Sequence, residues 1–205
     1  MRACRRHVLA LAAVAAAIAA TAGLAGCQKA EPAHKFNAVD LTGAEYARKF
    51  DLPDFNGKER TLADFTGKVV VVFFGYTQCP DACPTTMTEL AQVKKLLGPE
   101  SARVQVLFIT VDPERDTAAL LKSYVTNFGS DFLALRGDPV QIKAVTREFK
   151  VFYEKVPGTA PDNYTIDHTA GTYVFDQQGR IRLFARSGMP PEQLADDIKA
   201  LLVQA

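Results

Sequence analysis

Reactivity in this chain concentrates in two cysteines and one histidine. Cys79 and Cys83 stand four residues apart in the run Gly75-Tyr76-Thr77-Gln78-Cys79-Pro80-Asp81-Ala82-Cys83-Pro84. If that turn opens a helix, positions i and i+4 share a face, and the two sulfurs can meet one metal ion or each other. Exposed N–H groups at a helix N-terminus also favour the thiolate, which is both nucleophile and ligand. The alternative is a pair of buried, inert cysteines, against which stand the loop placement and the flanking prolines. The pair is therefore open to three roles: a metal site, a redox-active disulfide, or both. His168, in Ile166-Asp167-His168-Thr169-Ala170, is the candidate third member, the alternative being a histidine merely hydrogen-bonded in a surface loop. Two thiolates and an imidazole form a soft three-ligand set suited to copper, with zinc as competitor, and wrong for calcium or magnesium. Met87 falls on an apolar helix face and is read as core; Met189, before two prolines, is read as partly exposed. Neither joins the site.

The elements that must hold these residues follow from the apolar pattern. Val69 to Phe74 is a continuous β-branched and aromatic run, expected of a strand buried on both faces. The cysteine turn follows it, then a helix carrying Met87, Leu90, Val93 and Leu97 on one face and closed by Gly98-Pro99. Val104 to Val111 is a second buried strand. Leu120, Leu121, Tyr124, Val125 and Phe128 give Thr117 to Phe128 a helical period. Phe132 to Leu135 is a short strand, and Asp138-Pro139 opens a helix to about Phe149. Phe50 to Leu62, around Asn56-Gly57, reads as an N-terminal hairpin, and residues 150–167 as an inserted loop or hairpin. Gly171 to Asp176 and Arg180 to Phe184 form an antiparallel pair, and Pro190 to Val203 a last helix with Leu194, Ile198, Leu201 and Leu202 inward. This order predicts an α/β, thioredoxin-like fold with a mostly parallel central sheet and flanking helices. In such a fold the connection carrying His168 returns to the first strand-helix turn.

The ends set the compartment. Arg2, Arg5 and Arg6 precede an apolar run from Val8 to Ala22, which marks residues 1–26 as an export signal rather than a retained transmembrane anchor. Leu24-Ala25-Gly26-Cys27 resembles the lipobox of bacterial lipoproteins, which implies a mature chain held to the membrane through lipid on Cys27. Residues 27–45 then read as anchor and tether, and 46–205 as one domain. With Cys4 removed and Cys27 lipidated, only Cys79 and Cys83 remain, too few for a disulfide scaffold. Losing residues 1–26 removes three Arg and no acid, leaving 21 basic against 23 acidic residues, a balance that does not point to a nucleic-acid surface.

The buried strand, Gly-Tyr-Thr-x-Cys-Pro-Asp-x-Cys-Pro, the run Val111-Asp112-Pro113-Glu114-Arg115-Asp116-Thr117 and Asp167-His168-Thr169 occur in the order and spacing of the Sco/SenC family of cytochrome c oxidase assembly proteins, which the chain resembles from about Tyr46 to Leu202. The resemblance implies that Cys79, Cys83 and His168 bind one copper ion, as Cu(I) or Cu(II). It implies delivery to the CuA centre on cytochrome c oxidase subunit II, with another periplasmic copper donor upstream, or else a dedicated thiol-disulfide oxidoreductase that reduces that centre's cysteines. It places the chain on the periplasmic face of the bacterial inner membrane, with the outer membrane as the alternative. Asp167 is expected to orient the His168 ring or loop from behind the site, or to be a solvated acid. Asp112, at a strand end, is assigned no ligand role. General reductases of this fold carry CxxC and a proline before the following strand; here stand CxxxC and Thr169-Ala170, which favour metal binding over enzyme activity. Peroxidase chemistry is disfavoured, because Val72 and Tyr76 occupy the places of its proline and threonine. Catalytic zinc hydrolysis is disfavoured because the motif places no acid or base beside water.

Overall fold

The computed structural model describes residues 34–159 and 163–204; the expected export signal and Cys27 lie outside the described residues. The site is built on two strands, β4 (Val69–Gly75) and β5 (Val104–Thr110), each buried at every residue. They run parallel in a register that sets Gly75 beside Thr110, so the loops leaving their C-terminal ends start side by side. Among the described residues β4 and β5 belong to a six-stranded sheet of order β1-β10-β9-β4-β5-β6, with β1 Val39–Asp40, β6 Leu133–Leu135, β9 Gly171–Phe175 and β10 Ile181–Arg186. Only β4–β5 and β5–β6 pair in parallel; β9 pairs antiparallel with β4, β10 with β9 and β1 with β10. The sheet is thus mixed, not mostly parallel. The antiparallel half comes after β6, where the chain passes through the helix Pro139–Glu148 and then a hairpin before β9 enters beside β4 in the opposite direction.

Helix α1 (Ala82–Leu97) buries Met87, Leu90, Val93 and Leu97, as its period predicts, and packs against α4 (Pro191–Val203). Helix α2 (Ala118–Thr126) buries Leu121 and Val125 but leaves Leu120 exposed, because this helix turns a narrower apolar stripe inward than its composition suggests. Helix α3 (Pro139–Glu148) starts at a capping box in which Asp138 and Gln141 bond each other's backbone, with Pro139 where a missing N–H costs little. Strand alternation sends successive side chains to opposite faces. Phe73 meets Phe108, while Phe74 meets Phe149 and Tyr173.

Two short pairs lie apart from the main sheet. β2 (Leu52–Pro53) and β3 (Glu59–Arg60) form the expected N-terminal hairpin, whose turn is organised by the buried Asp54 carboxylate accepting from the Asn56 and Lys58 amides and from Arg60. β7 (Tyr153–Pro157) and β8 (Tyr164–His168) make the segment at 150–167 a hairpin, and His168 is its last strand residue rather than part of a loop. The N-terminal segment expected to be tether is fastened from Asn37 onward. The amides of Asn37 and Ala38 donate to the buried Asp197 carboxylate, and Val39 and Asp40 pair with β10. The compact unit accordingly begins at Phe36, earlier than residue 46.

Candidate metal site

The cysteine turn leaves β4 at Gly75 and becomes helix only at Ala82. Cys79 therefore precedes the helix and Cys83 lies in its first turn. The Cys83 amide, an N-terminal donor without an intrahelical partner, donates to Cys79 Sγ at 3.3 Å, so Cys79 closes the start of the helix with its sulfur. Pro84, with no N–H, sits in the same turn without loss. Both thiols are free, Cys83 buried and Cys79 partly exposed.

Space for the Cys83 sulfur depends on Gly75. A Cβ there would stand 3.0 Å from Cys83 Sγ and 2.9 Å from the Phe108 ring. Burial pushes the Cys83 thiol well above its ordinary value, outweighing the hydrogen bond from the Tyr76 backbone that favours the thiolate. For Cys83 the expected helix-end activation is thus overturned: desolvation in the core exceeds the dipole of one exposed turn.

His168 reaches the site from β8. Its Nε2 lies 3.5 Å from Cys83 Sγ, and its Nδ1 lies 3.1 Å from the Thr169 carbonyl oxygen. A carbonyl only accepts, so Nδ1 carries the proton and Nε2 presents a lone pair toward the sulfur. Burial lowers the imidazole below its usual value, opposed by the Thr169 bond and the Asp167 charge, which keeps the ring neutral near pH 7. The Phe73 and Tyr76 rings meet it edge-on, at 6.0 and 6.2 Å between centroids. Asp167, read as orienting the ring or loop from behind the site or as a solvated acid, is exposed; the Thr169 carbonyl accepts the bond that orients the ring, and Asp167 acts on it only through its charge.

Cys79 and His168 line an open cleft of roughly 380 Å³ with Tyr76, Pro80, Asp81 and Asp167. Among the described residues no three His, Cys, Asp or Glu side chains are gathered as a ready metal cage. The structure brings Cys83 to His168 and Cys79 to the Cys83 amide. Met87 is fully buried core, and Met189 is partly buried against the core cluster, as expected for residues outside the site.

The second motif loop supports the first. Asp116, fully buried, accepts from the Thr77 amide and hydroxyl and from the Thr110 hydroxyl, tying the cysteine turn to the end of β5. Asp112, also fully buried, accepts from Arg115 and from the Tyr164 hydroxyl at 2.8 Å, so it holds the β8 hairpin. Tyr76 Oη accepts from the Ile166 amide at 3.1 Å. Of these supporting residues the sequence singles out only Asp112, by its place at a strand end; Tyr76, Arg115 and Asp116 stand inside the quoted motifs without a sign of this role.

A family model described as SCO1/SenC matches residues 39–203. An SCO2-like protein of Rickettsia felis is 36% identical over 151 residues, covering 73% of this chain and 74% of that protein. Bradyrhizobium japonicum ScoI, solved with copper bound, superposes with a TM-score of 0.69 at 40% identity, covering 75% of this chain and 97% of that one. Apo Sco1 from Thermus thermophilus superposes with a TM-score of 0.73 at 36% identity, covering 83% of this chain and 99% of that one. The mixed sheet with flanking helices is the thioredoxin-like fold of these structures, and with its cysteine turn and histidine hairpin in the family's order, this chain belongs to the SCO1/SenC family.

Proposed function

We propose that this chain is a copper metallochaperone that carries one copper ion on Cys79, Cys83 and His168 and assists assembly of the CuA centre of cytochrome c oxidase. The observation that carries the reading is the 3.5 Å approach of His168 Nε2, lone pair forward, to Cys83 Sγ, with the Cys79 sulfur on the neighbouring amide. Its copper-bound relatives support it. Thiolate and imidazole donors suit Cu(I), and a two-sulfur, one-nitrogen set leaves a coordination position for a partner's ligand. Transfer then proceeds by stepwise ligand replacement, the open cleft giving the partner access to Cys79 and His168.

The cargo's destination is subunit II of the oxidase, its source another periplasmic copper donor, and its place the periplasmic face of the inner membrane, held by lipid on Cys27. The Cys27→Ser variant should leave the membrane fraction on cell fractionation; full retention there would contradict the anchor. Copper-loaded protein mixed with a copper-free CuA domain should generate the CuA absorption, and failure with retention of copper would contradict delivery. A second reading, dedicated reduction of the same centre's disulfide, is favoured by the asymmetry of a partly exposed Cys79 beside a buried Cys83. There the two thiols would pass two electrons and two protons to the partner disulfide and close a Cys79–Cys83 bond.

A further inference from the structure

The hairpin that carries His168 is not a strand of the main sheet; β7 and β8 pair only with each other. The edge of β8 is instead secured by side chains from the two motif loops. Arg115 donates through Nη1 to the Tyr164 carbonyl at 2.9 Å, and its guanidinium carbon lies 3.5 Å from the centre of the Tyr164 ring. The same guanidinium pairs through Nε with the buried Asp112 carboxylate, whose other oxygen accepts from the Tyr164 hydroxyl. Arg115 Nη2 is buried with no hydrogen-bond partner, so this placement is kept despite an orphaned donor. Farther along the strand, the Ile166 amide donates to Tyr76, two residues before His168. Lys155 bonds Glu114 across the same junction and its ammonium lies 4.7 Å from the centre of the Tyr164 ring, but Lys155 and Glu114 are well exposed, and such exposed contacts contribute little beside the buried guanidinium.

We propose that Arg115 and Tyr164, locked together on Asp112, are positioning residues that clasp the hairpin to the domain and thereby hold the His168 imidazole at the thiols. The proposal rests on the copper-site reading for its consequence, and on geometry alone for the clasp. A planar guanidinium can pair with the carboxylate, stack on the ring and reach the carbonyl at once. A lysine ammonium cannot. Loss of the clasp frees β8 without disturbing the cysteine turn, which Asp116 holds separately.

The test uses the full chain in detergent, comparing wild type with Arg115→Lys, Tyr164→Phe and, as a control on the same hairpin, Lys155→Ala. In copper-free protein, amide exchange at Ile166 should accelerate about tenfold or more in the first two variants. The His168 ring protons, shifted by Phe73 and Tyr76, should move toward exposed-histidine values while the α1 amides keep their protection. Tyr164→Phe retains the fold if Arg115→Lys does not. Copper should leave both variants about tenfold faster, with the imidazole nitrogen signal weakened in pulsed electron paramagnetic resonance, and Lys155→Ala should match wild type throughout. Unchanged Ile166 exchange and His168 shifts in both clasp variants would overturn the proposal. So would equal effects in Lys155→Ala. Failure of wild type to bind copper would sink the metallochaperone reading instead, leaving the clasp to be judged by the copper-free measurements.

Discussion

Replacing Gly75 by alanine tests the packing that makes room for the buried Cys83 sulfur. The new Cβ would lie 2.9 Å from the Phe108 ring, 3.0 Å from Cys83 Sγ and 3.0 Å from the Phe73 ring, where ordinary contact begins at 3.4 Å. Each neighbour must therefore withdraw by about 0.4 to 0.5 Å, and all three are buried. Overpacking of a filled core costs about 1–3 kcal/mol. For a chain of this size each kcal/mol lowers Tm by about 2–4 °C, so thermal unfolding of the copper-free variant should shift down by about 2–12 °C. Because Phe108 and Phe73 are fixed in the sheet, part of the strain is relieved at Cys83 Sγ, which moves away from β4. Copper competition should show at least about tenfold weaker binding, the equivalent of about 1.4 kcal/mol. A Gly75→Ala protein with unchanged Tm and copper affinity would refute the claim that Gly75 sets the sulfur's position.

Two further expectations concern charge. Burial holds the proton on Cys83 and keeps His168 neutral, so metal entry displaces the thiol proton while the imidazole releases none near pH 7. Apparent copper affinity should rise by about one log unit per pH unit for that proton, and fall further in acid once His168 is protonated. Calorimetry in buffers of different ionisation enthalpy counts the protons, and binding without release would contradict the assignment. Asp116→Ala strands the Thr77 amide and the Thr77 and Thr110 hydroxyls, and should lower stability by about 3 kcal/mol in urea denaturation. A loss below about 1 kcal/mol would remove Asp116 as the tie between the loops.

The cysteine turn and β4 were legible because a buried β-branched run, a glycine and two prolines are local signals. The hairpin at 150–167 was legible as an insertion, since Tyr153 to Pro157 lacks a helical period. What the sequence could not carry was tertiary. Strand direction in the sheet depends on how the chain returns after β6. The raised Cys83 pKa comes from burial of a sulfur that spacing alone assigns to an activated helix end. Arg115 stands in a motif loop and Tyr164, 49 residues on, in the inserted segment, and only the fold stacks them. Likewise Asp197 draws Asn37 and Ala38 into the domain across 160 residues, which made a segment without apolar period look like tether.

The most direct test of the account is an anaerobic copper titration of wild type beside His168→Ala, against a competing chelator with thiols assayed in parallel. The account predicts one tightly held copper per wild-type chain, with both thiols masked, and binding weakened markedly in the variant. Copper held equally well without His168, or no copper held while both thiols titrate as free, would contradict it.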